Sequence, residues 1–438
     1  MEMLGLIIQY TLVFASVLAL VALGGMFSER SGVINLGLEG TMVIGALGGA
    51  LTMRYLPDTT PAALAVIIVI LVSVIAGVIY STLLSVACIT FKADQTITGT
   101  ALNIMAPALA TVVVKAITLN ENGKATPKLD YIQLQQNFVF KMTEVNFSWV
   151  VPVALLIISA ILILVAIKKT EYEAKSRKIH FILGIVLAVI GIIFAILFGT
   201  NILSVVTFNW AIFIVMVFIT IIMFLNSIIV NIVKDDKVAI KNIVRTCIMF
   251  IASIVVLILN LIHFFDTITM NWFMPLMFAL VGIAYYIIYH TKFGLRLMAC
   301  GENPQAADSV GINVIKMRYI GVLISGILAG IGGIAFIASV NSSWSFDYGV
   351  SGFGFLALAV MIFGQWKPLL ILGGAILFGF FRAIGLTYTG IPILSDLNID
   401  STWYTMLPYI VCLVVLAFTS KKSRAPKAEG IPYDKSQR

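Results

Sequence analysis

Long apolar runs recur along the whole of this 438-residue chain, and they restrict its fold more than any other feature. A run of about 18 or more apolar residues can cross the ~30 Å hydrocarbon core of a bilayer as a helix. The chain is 61% hydrophobic and only 11% charged, whereas an ordinary soluble domain has about 25% charged residues. The runs are continuous and do not alternate with polar residues, which excludes barrel strands. The sequence therefore predicts an all-α, polytopic helical membrane protein.

About thirteen transmembrane helices are predicted from these runs. The predicted segments are residues 5–27, 33–54, 61–90, 97–119, 149–167, 180–199, 205–232, 246–265, 272–290, 318–340, 352–364, 369–390 and 404–420. The segment 352–364 is short for a spanning helix, so we expect it to be tilted or partly re-entrant.

Basic residues cluster in three of the connections between the predicted helices and in the C-terminal tail, and the long connection 120–148, on the opposite side, is an exception with three lysines. These clusters lie in residues 168–178, 234–245, 291–318 and 421–430. Because Lys and Arg remain on the cytoplasmic side of short connections, we expect a plasma-membrane protein with its N-terminus outside and its C-terminus in the cytoplasm. The net charge of +8 then faces anionic lipid, and it does not require a nucleic-acid partner.

The common sequence signatures of catalysis are missing from the chain. It has no phosphate-binding G-x-x-x-x-G-K-[ST] loop, no G-x-S-x-G and no H-E-x-x-H. Its three histidines do not cluster in the sequence, and its four cysteines lack a metal-like spacing. We therefore predict no catalytic residue, no metal site and no cofactor of its own.

Small residues recur at helical spacing in two of the apolar segments. In residues 319–340, Gly326 and Gly330 lie four positions apart, and "IGALGGAL" at 44–51 is similar. Small residues at this spacing let two helix backbones approach each other closely in lipid. Tight helix packing is the favoured interpretation, and a hinge for motion is the alternative.

A few polar residues lie inside apolar segments, where an ionisable or polar group is a functional candidate. Asn35 and Glu39 follow the stretch "SERSGV", Thr98 and Asn103 lie in "TITGTALNIMAPALA", and Arg382 interrupts "FGFFRAIGL". Hydrogen bonding between helices is an equally good explanation for the Asn and Thr residues. Glu39 needs either a partner or a water-filled path, and Arg382 is near enough to an interface to reach water.

The connection 291–318 is long, basic and polar. Asn303 followed by Pro304 is typical of a helix N-cap with proline at the first helical position. We expect a short amphipathic helix there, along the membrane face. Docking of a cytoplasmic partner and an ordinary surface helix are both open interpretations of this pattern.

Five stretches of the chain, taken in order, resemble the permease family of ATP-binding-cassette importers for simple sugars and nucleosides, a branched-chain amino acid permease type. They are "GGMFSERSGVINLGLEGTMVIGA" (24–46), "DQTITGTALNI" (94–104), "TKFGLRLMACGENPQAADSVGINV" (291–314), "SGILAGIGG" (325–333) and "GFGFLALAVMIFGQWKP" (352–368). The resemblance is closest to the nucleoside branch, which works with lipoproteins of the basic-membrane-protein type.

This resemblance implies a division of the chain into four parts. Residues 1–119 and 271–420 correspond to the permease core, which includes the coupling connection 291–318. Residues 120–270 are an insertion with an extracellular loop and about four extra transmembrane helices. Residues 421–438 form a basic cytoplasmic tail.

The resemblance also implies partners. A second, related permease would complete the pathway, a cytoplasmic ATPase subunit would bind ATP, and an extracellular lipoprotein would deliver a nucleoside. The residues carried over for coupling to the ATPase are Arg296, Gly301, Glu302, Asn303, Ala306, Ala307 and Gly311.

A nucleoside offers ribose hydroxyls and a flat base, which Asn, Thr and aromatic side chains suit. The residues expected along the substrate pathway are Asn35, Glu39, Thr98, Asn103, Phe353, Phe355 and Arg382. A permease for monosaccharides or branched-chain amino acids is an alternative within the same superfamily. An ion-coupled secondary transporter is an alternative of another class, but it predicts paired acidic residues or broken helices near the bilayer midplane.

Overall fold

The computed structural model divides the chain into two compact units. One unit contains residues 1–5 and 140–269, and the other contains residues 6–139 and 270–438. We call the second of these the core unit and the first the hairpin unit. The residues that the structure describes are 2–57, 59–118, 126, 128–130, 138–141, 152–157, 159, 185, 187–193, 195–196, 207–233, 236–262, 264, 268–340, 343–397, 399–419 and 425–434.

Helices dominate the described residues, in agreement with the predicted fold class. In chain order the helices are α1 (Glu2–Arg30), α2 (Leu38–Tyr55), α3 (Ala62–Ser85), α4 (Gln95–Ile117), α5 (Phe208–Val233), α6 (Asp236–Leu261), α7 (Phe273–His290), α8 (Lys292–Glu302), α9 (Pro304–Ser309), α10 (Val314–Val340), α11 (Phe353–Phe363), α12 (Pro368–Thr387), α13 (Pro392–Ser395) and α14 (Ser401–Thr419). The strands are β1 (Lys128–Asp130), β2 (Val139–Lys141), β3 (Thr269–Asn271) and β4 (Ser343–Ser345). A π-helical turn, Val86–Thr90, extends α3.

The backbones of α2, α3 and α10 touch one another in the core unit. A Cβ atom added to Gly330 would lie 2.5 Å from the carbonyl oxygen of Ser73, and one on Gly333 would lie 2.1 Å from that of Met42. A Cβ on Gly45 would lie 2.5 Å from the Cα of Gly330. These contacts confirm that the two small-residue stretches serve tight helix packing.

Helix α2 is enclosed by other helices of the core unit. Its neighbours are α3, α4, α10 and α11, and Thr41, Met42, Ala46 and Ala50 on it are all buried. Side chains at the start of α2 therefore meet protein and not lipid.

Helix α11 is too short to cross a bilayer by itself. Its 11 residues extend about 16 Å at 1.5 Å per residue, which agrees with the expected tilted or re-entrant segment. The preceding turn has left-handed backbone at Gly349, Ser351 and Gly352, with φ of +54°, +55° and +77°. Irregular backbone at membrane depth is tolerated where protein surrounds it.

Strands β1 and β4 form a two-stranded antiparallel sheet in the core unit. Lys128 pairs with Ser345, and Asp130 pairs with Ser343. The sheet joins the connection after α4 to the connection after α10. The positions of the basic residues predict that both connections lie on the same side of the membrane.

The hairpin unit contains α5 and α6, which pack against each other. The hydroxyl oxygens of Thr220 and Ser253 lie 3.2 Å apart across this contact. Residues 152–157 and 187–193 are also helical. The predicted segments 149–167 and 180–199 fall largely outside the described residues.

Two predicted connections are helical in the structure. Residues 292–302 form α8, because Gly294, Leu297 and Cys300 recur every third position and are buried along one side. Helix α6 begins at Asp236, inside the predicted basic turn 234–245. Within 291–318 the pattern predicted only the short helix that begins after Asn303, and the predicted helix 246–265 begins ten residues too late.

Six helices among the described residues are long and apolar enough to cross a membrane. They are Met3–Arg30, Ala62–Thr90, Gln95–Ile117, Phe273–His290, Val314–Ser339 and Pro368–Gly390. Shorter apolar helices are Trp210–Ile221, Thr246–Leu261, Phe353–Phe363 and Ser401–Val414. The total of about thirteen spanning helices stays a prediction.

Candidate functional site

The carboxylate of Glu39 caps the N-terminus of α11. Its Oε1 accepts a hydrogen bond from the backbone N–H of Gly352 at 2.9 Å, and its Oε2 accepts one from Gly354 at 2.6 Å. The first N–H groups of a helix have no partner within the helix, and a negative charge there is favoured by the helix dipole. Glu39 thus supplies from α2 the cap that the α11 sequence lacks.

Glycine is required where α11 meets α2. A Cβ on Gly354 would lie 2.5 Å from the Cα of Glu39, so any larger residue would push the two helices apart. The hydroxyl of Tyr409 on α14 donates to the carbonyl oxygen of Ser351 at 2.9 Å. The turn before α11 is therefore fixed from two sides.

Arg382 on α12 lies beside the same turn, against two aromatic rings. Its guanidinium carbon is 5.8 Å from the ring centre of Phe14 and 5.7 Å from that of Phe353. These two rings lie 5.6 Å apart, and Nη1 of Arg382 donates to the carbonyl oxygen of Thr405 at 3.3 Å. The cation–π geometry stabilises a partly buried positive charge.

Asn103 holds α4 against the start of α2. Its Oδ1 accepts from the backbone N–H of Gly40 at 2.8 Å, and its Nδ2 donates to the carbonyl oxygen of Leu36 at 2.6 Å. Asn35 acts in a similar way, because its Nδ2 donates to Oγ of Ser325 on α10 at 2.8 Å. Both side chains tie helices together around one end of α2.

Thr98 and Phe355 do not join these contacts. The hydroxyl of Thr98 donates to the carbonyl oxygen of Asp94 at 2.7 Å, within its own helix turn. Phe355 is 51% exposed, whereas Phe353, two residues before it, is 1% exposed. Phe355 therefore faces away from the core unit.

The predicted pathway residues thus divide into three groups. Glu39, Phe353 and Arg382 meet at the start of α11, and Asn35 with Asn103 surrounds the start of α2. Thr98 and Phe355 belong to neither group. Substrate contact by any of these seven residues stays a prediction.

The predicted coupling connection, 291–318, contains α8 and α9. Oδ1 of Asn303 accepts from the backbone N–H of Ala306 at 3.0 Å, and Pro304 begins the helix. The predicted N-cap and short helix are confirmed. Gly311 has φ of +82° and open space around it, so a turn ends this segment before α10.

The residues that the family resemblance assigns to ATPase coupling include both exposed and buried positions. The exposed ones are Arg296, Glu302, Asn303, Ala306 and Gly311, and the buried ones are Gly301 and Ala307. A Cβ on Gly301 would lie 2.4 Å from the carbonyl oxygen of Arg30, so α8 packs directly on the end of α1. Burial raises the pKa of Cys300 to about 11, which keeps this thiol neutral at pH 7.

The turn after α11 also contacts the end of α1, which sequence reasoning missed. Nε1 of Trp366 donates to Oε2 of Glu29 at 2.6 Å, and Nη2 of Arg30 donates to the carbonyl oxygen of Trp366 at 3.1 Å. Gln365 and Trp366 both have left-handed backbone, with φ of +52° and +53°. Strain of this kind persists only when surrounding contacts hold it. The polar residues in "SERSG" (28–32) and "GQWKP" (364–368) are the sequence feature that could have indicated this contact.

Comparison with known proteins places the chain in a family. The family described as "Branched-chain amino acid transport system / permease component" matches residues 7–177 and 137–416. The chain belongs to that family.

Two known proteins match essentially the whole chain. The guanosine ABC transporter permease protein NupQ of Bacillus subtilis is 30% identical over 437 residues, which is 100% of this chain and 99% of that protein. The nucleoside ABC transporter permease protein NupC of Lactococcus lactis is 29% identical over 438 residues, 99% of this chain and 98% of that protein. A second Lactococcus protein, the nucleoside ABC transporter permease protein NupB, is 27% identical over 172 residues, 38% of this chain and 47% of that protein. No solved structure matches the chain.

These findings confirm the resemblance that the five stretches indicated. They also show that residues 120–270 have counterparts in NupQ and NupC, since both matches extend over nearly the full length of all three proteins. A segment of similar length to residues 120–270 is therefore present in both of these permeases.

Proposed function

We propose that this chain is a permease subunit of an ATP-binding-cassette importer that takes up nucleosides. The observation that carries the proposal is the match of the whole chain to two permeases, NupQ and NupC, whose names specify guanosine and nucleosides. Residues 120–270 are included in both matches, so the likeness is not limited to a core that many importers share.

A separate ATPase subunit binds and hydrolyses ATP in this proposal, and the chain itself supplies no catalytic residue, metal or cofactor. The ATPase binds to α8 and α9. Arg296 and Glu302 on α8 and Asn303 between the two helices support this assignment, because all three are exposed. Gly301 and Ala307 are buried against the rest of the core unit. A rigid surface of this kind suits the transmission of movement.

The nucleoside crosses by alternating access between this chain and a second, related permease. Lactococcus lactis has two proteins named nucleoside ABC transporter permease, NupB and NupC, and both are similar to this chain. The exposed Phe355, together with Ile104 on α4, which is 72% exposed, offers apolar and aromatic surface for the partner or for the base.

An extracellular lipoprotein delivers the nucleoside, and the chain lies in the plasma membrane among its lipids. The N-terminus is outside and the C-terminus is cytoplasmic. Contacts of the core unit support this sidedness. The end of α1 bonds to the turn after α11, and the C-terminal segment bonds to α8 and to Arg318 at the start of α10. All of these elements are predicted to be cytoplasmic, so the bonds join elements of one side.

The decisive experiment reconstitutes the tagged chain with the proteins that co-purify with it. Recovery of an ATPase and a second permease, followed by ATP-dependent uptake of labelled guanosine, is the expected result. Ribose and leucine serve as competitors, because shorter matches include the ribose import permease RbsC, 28% identical over 158 residues. Uptake without ATP by the chain alone would contradict the proposal and favour a secondary transporter.

The coupling assignment is tested with paired substitutions. Arg296→Ala and Glu302→Ala should release the ATPase or abolish ATP-dependent uptake. The matched controls are Lys115→Ala at the end of α4 and Asp396→Ala after α13, which are also exposed and charged. Equal uptake by the coupling variants and the controls would remove α8 from the proposed interface.

A further inference from the structure

The C-terminal segment 425–434 is packed onto the end of the core unit that carries α8 and α9. The backbone N–H of Ala428 donates to the carbonyl oxygen of Gly301, the next-to-last residue of α8, at 2.8 Å. Ala428 is only 6% exposed. A tail that only added positive charge for lipid would have no reason to bury its backbone against α8.

The same segment touches the connection between α1 and α2. A Cβ on Gly430, whose φ is +76°, would lie 2.9 Å from Cδ1 of Ile34. A Cβ on Gly32 would lie 3.4 Å from the carbonyl oxygen of Ala428. The segment therefore fills the space between the α8 C-terminus and the start of α2.

A buried arginine holds the segment from α10. Arg318 is 2% exposed, and its Nη1 donates to the carbonyl oxygen of Ile431 at 2.9 Å. Loss of this acceptor would leave the buried guanidinium short of a hydrogen bond, which is unfavourable. The arginine and the tail therefore depend on each other.

Two side chains of the segment complete the attachment. The carboxyl of Glu29 at the end of α1, which is more deeply buried than that of Glu429, carries the shared proton and donates a hydrogen bond to the carboxylate of Glu429. Asp434 forms an ion pair with Lys92 before α4, with Nζ and Oδ2 3.0 Å apart. The segment thus contacts α1, α8, α10 and the connections that precede α2 and α4.

The segment also reaches the surface next to α9. Tyr433 lines a cavity of about 400 Å³ together with residues from the end of α9 to the start of α10, namely Asp308, Gly311, Ile312, Asn313, Val314 and Ile315. Val310 in the same turn is 74% exposed. The segment is therefore continuous with the surface assigned to the ATPase.

We propose that residues 425–434, the tail clamp, are a positioning element for energy coupling. The clamp fixes α8 and α9 to the α1–α2 connection, so that a movement of the ATPase is passed to α1 and α2 and not lost in the α8–α9 connection. This inference rests on the proposed function. Its prediction is specific: without the clamp, ATP is still hydrolysed but less nucleoside enters per ATP.

The test uses the full complex in proteoliposomes, with the tag at the N-terminus and guanosine as the probe. One variant lacks residues 425–438, and its control lacks only 435–438. A second variant, Gly430→Val, strains the clamp backbone at a φ of +76° and crowds Ile34, without shortening the chain. Its control is Gly373→Val on α12, where an added Cβ meets nothing within 4 Å. Guanosine imported per ATP hydrolysed is measured, with the amount of ATPase retained and the thermal midpoint of the complex.

The clamp variants should import at least fivefold less guanosine per ATP, while retaining the ATPase and a thermal midpoint close to that of their controls. Import per ATP equal to the controls would overturn the inference and leave the proposed function intact. The inference would also be overturned if guanosine import fell only in proportion to the amount of folded complex. If the deletion fails to accumulate, Gly430→Val decides. If the unaltered complex holds no ATPase, the proposed function and this inference fail together.

Discussion

The contact between α2, α3 and α10 in the core unit differs in kind from the contact between α5 and α6 in the hairpin unit. Four glycines lie on α2 and five on α10, and backbone meets backbone where they touch. Neither α5 nor α6 contains a glycine, and side chains of Thr220 and Ser253 meet instead. Backbone contacts fix the relative position of helices strictly, whereas long apolar side chains can repack. We therefore expect the helices of the core unit to tolerate few substitutions at their contacts, and α5 and α6 to tolerate more.

The largest expected effect comes from adding a side chain to the core contact. Gly330→Leu would place atoms against the carbonyl of Ser73, which is backbone and cannot turn aside. We expect a loss at or above the upper end of the about 1–3 kcal/mol of ordinary overpacking, and little folded protein. Gly282→Leu on α7 is the matched control, since an added Cβ there meets nothing within 4 Å. Accumulation in the membrane and resistance to protease measure both. Equal behaviour of the two variants would remove the distinction between the regions.

The second largest effect is expected from removing the Glu39 cap on the N-terminus of α11. Glu39→Ala would leave the N–H groups of Gly352 and Gly354 without their acceptor, at about 1–3 kcal/mol for each group. Glu39→Gln keeps one acceptor oxygen and should fall between Ala and the unaltered chain. Guanosine uptake and thermal stability of the complex are the measurements. A Gln variant that is as impaired as Ala would contradict this ranking and would indicate that one acceptor oxygen is not enough to cap α11.

The elements of the core unit could be predicted to a large extent, because they depend on local pattern. The apolar runs gave the positions of the long helices, and Asn303 with Pro304 gave the start of α9. The spacing of Gly326 and Gly330 predicted their close contacts. Helix α8 was missed because its buried side repeats small and apolar residues within a basic, polar connection.

The partners of the polar residues could not be predicted. Glu39 is 313 residues from Gly352 and 315 from Gly354, and no periodicity relates positions so far apart. The sequence shows that a carboxylate at membrane depth needs a partner, but not which one. Likewise, the contacts of Trp366 with Glu29 and of Ile431 with Arg318 depend on tertiary packing alone.

A smaller effect is expected at the α5–α6 contact. Ser253→Ala removes one hydroxyl of the pair with Thr220, and hydrogen bonds between helices in membranes contribute about 0.6 kcal/mol on average. The thermal midpoint should fall slightly, and guanosine uptake should not change. Ser325→Ala on α10 is the counterpart in the core unit, because it removes the acceptor of Asn35. Equal losses from both variants would show that the hairpin unit is held as strictly as the core unit.

The smallest effect is expected where an aromatic side chain of α6 is exposed. Phe250 is 57% exposed, and if this surface faces lipid tails, Phe250→Leu exchanges one apolar contact with lipid for another. Substitutions at such positions usually change the free energy of unfolding by less than about 0.5 kcal/mol. The comparison is Phe353→Leu in the core unit. Phe353 is 1% exposed, and its ring centre lies 5.6 Å from that of Phe14 and 4.9 Å from that of Phe336. Loss of these ring contacts and of the cation–π contact with Arg382 should lower both stability and uptake. A large loss from Phe250→Leu instead would show that the exposed face of α6 is covered by a protein partner in the assembled importer.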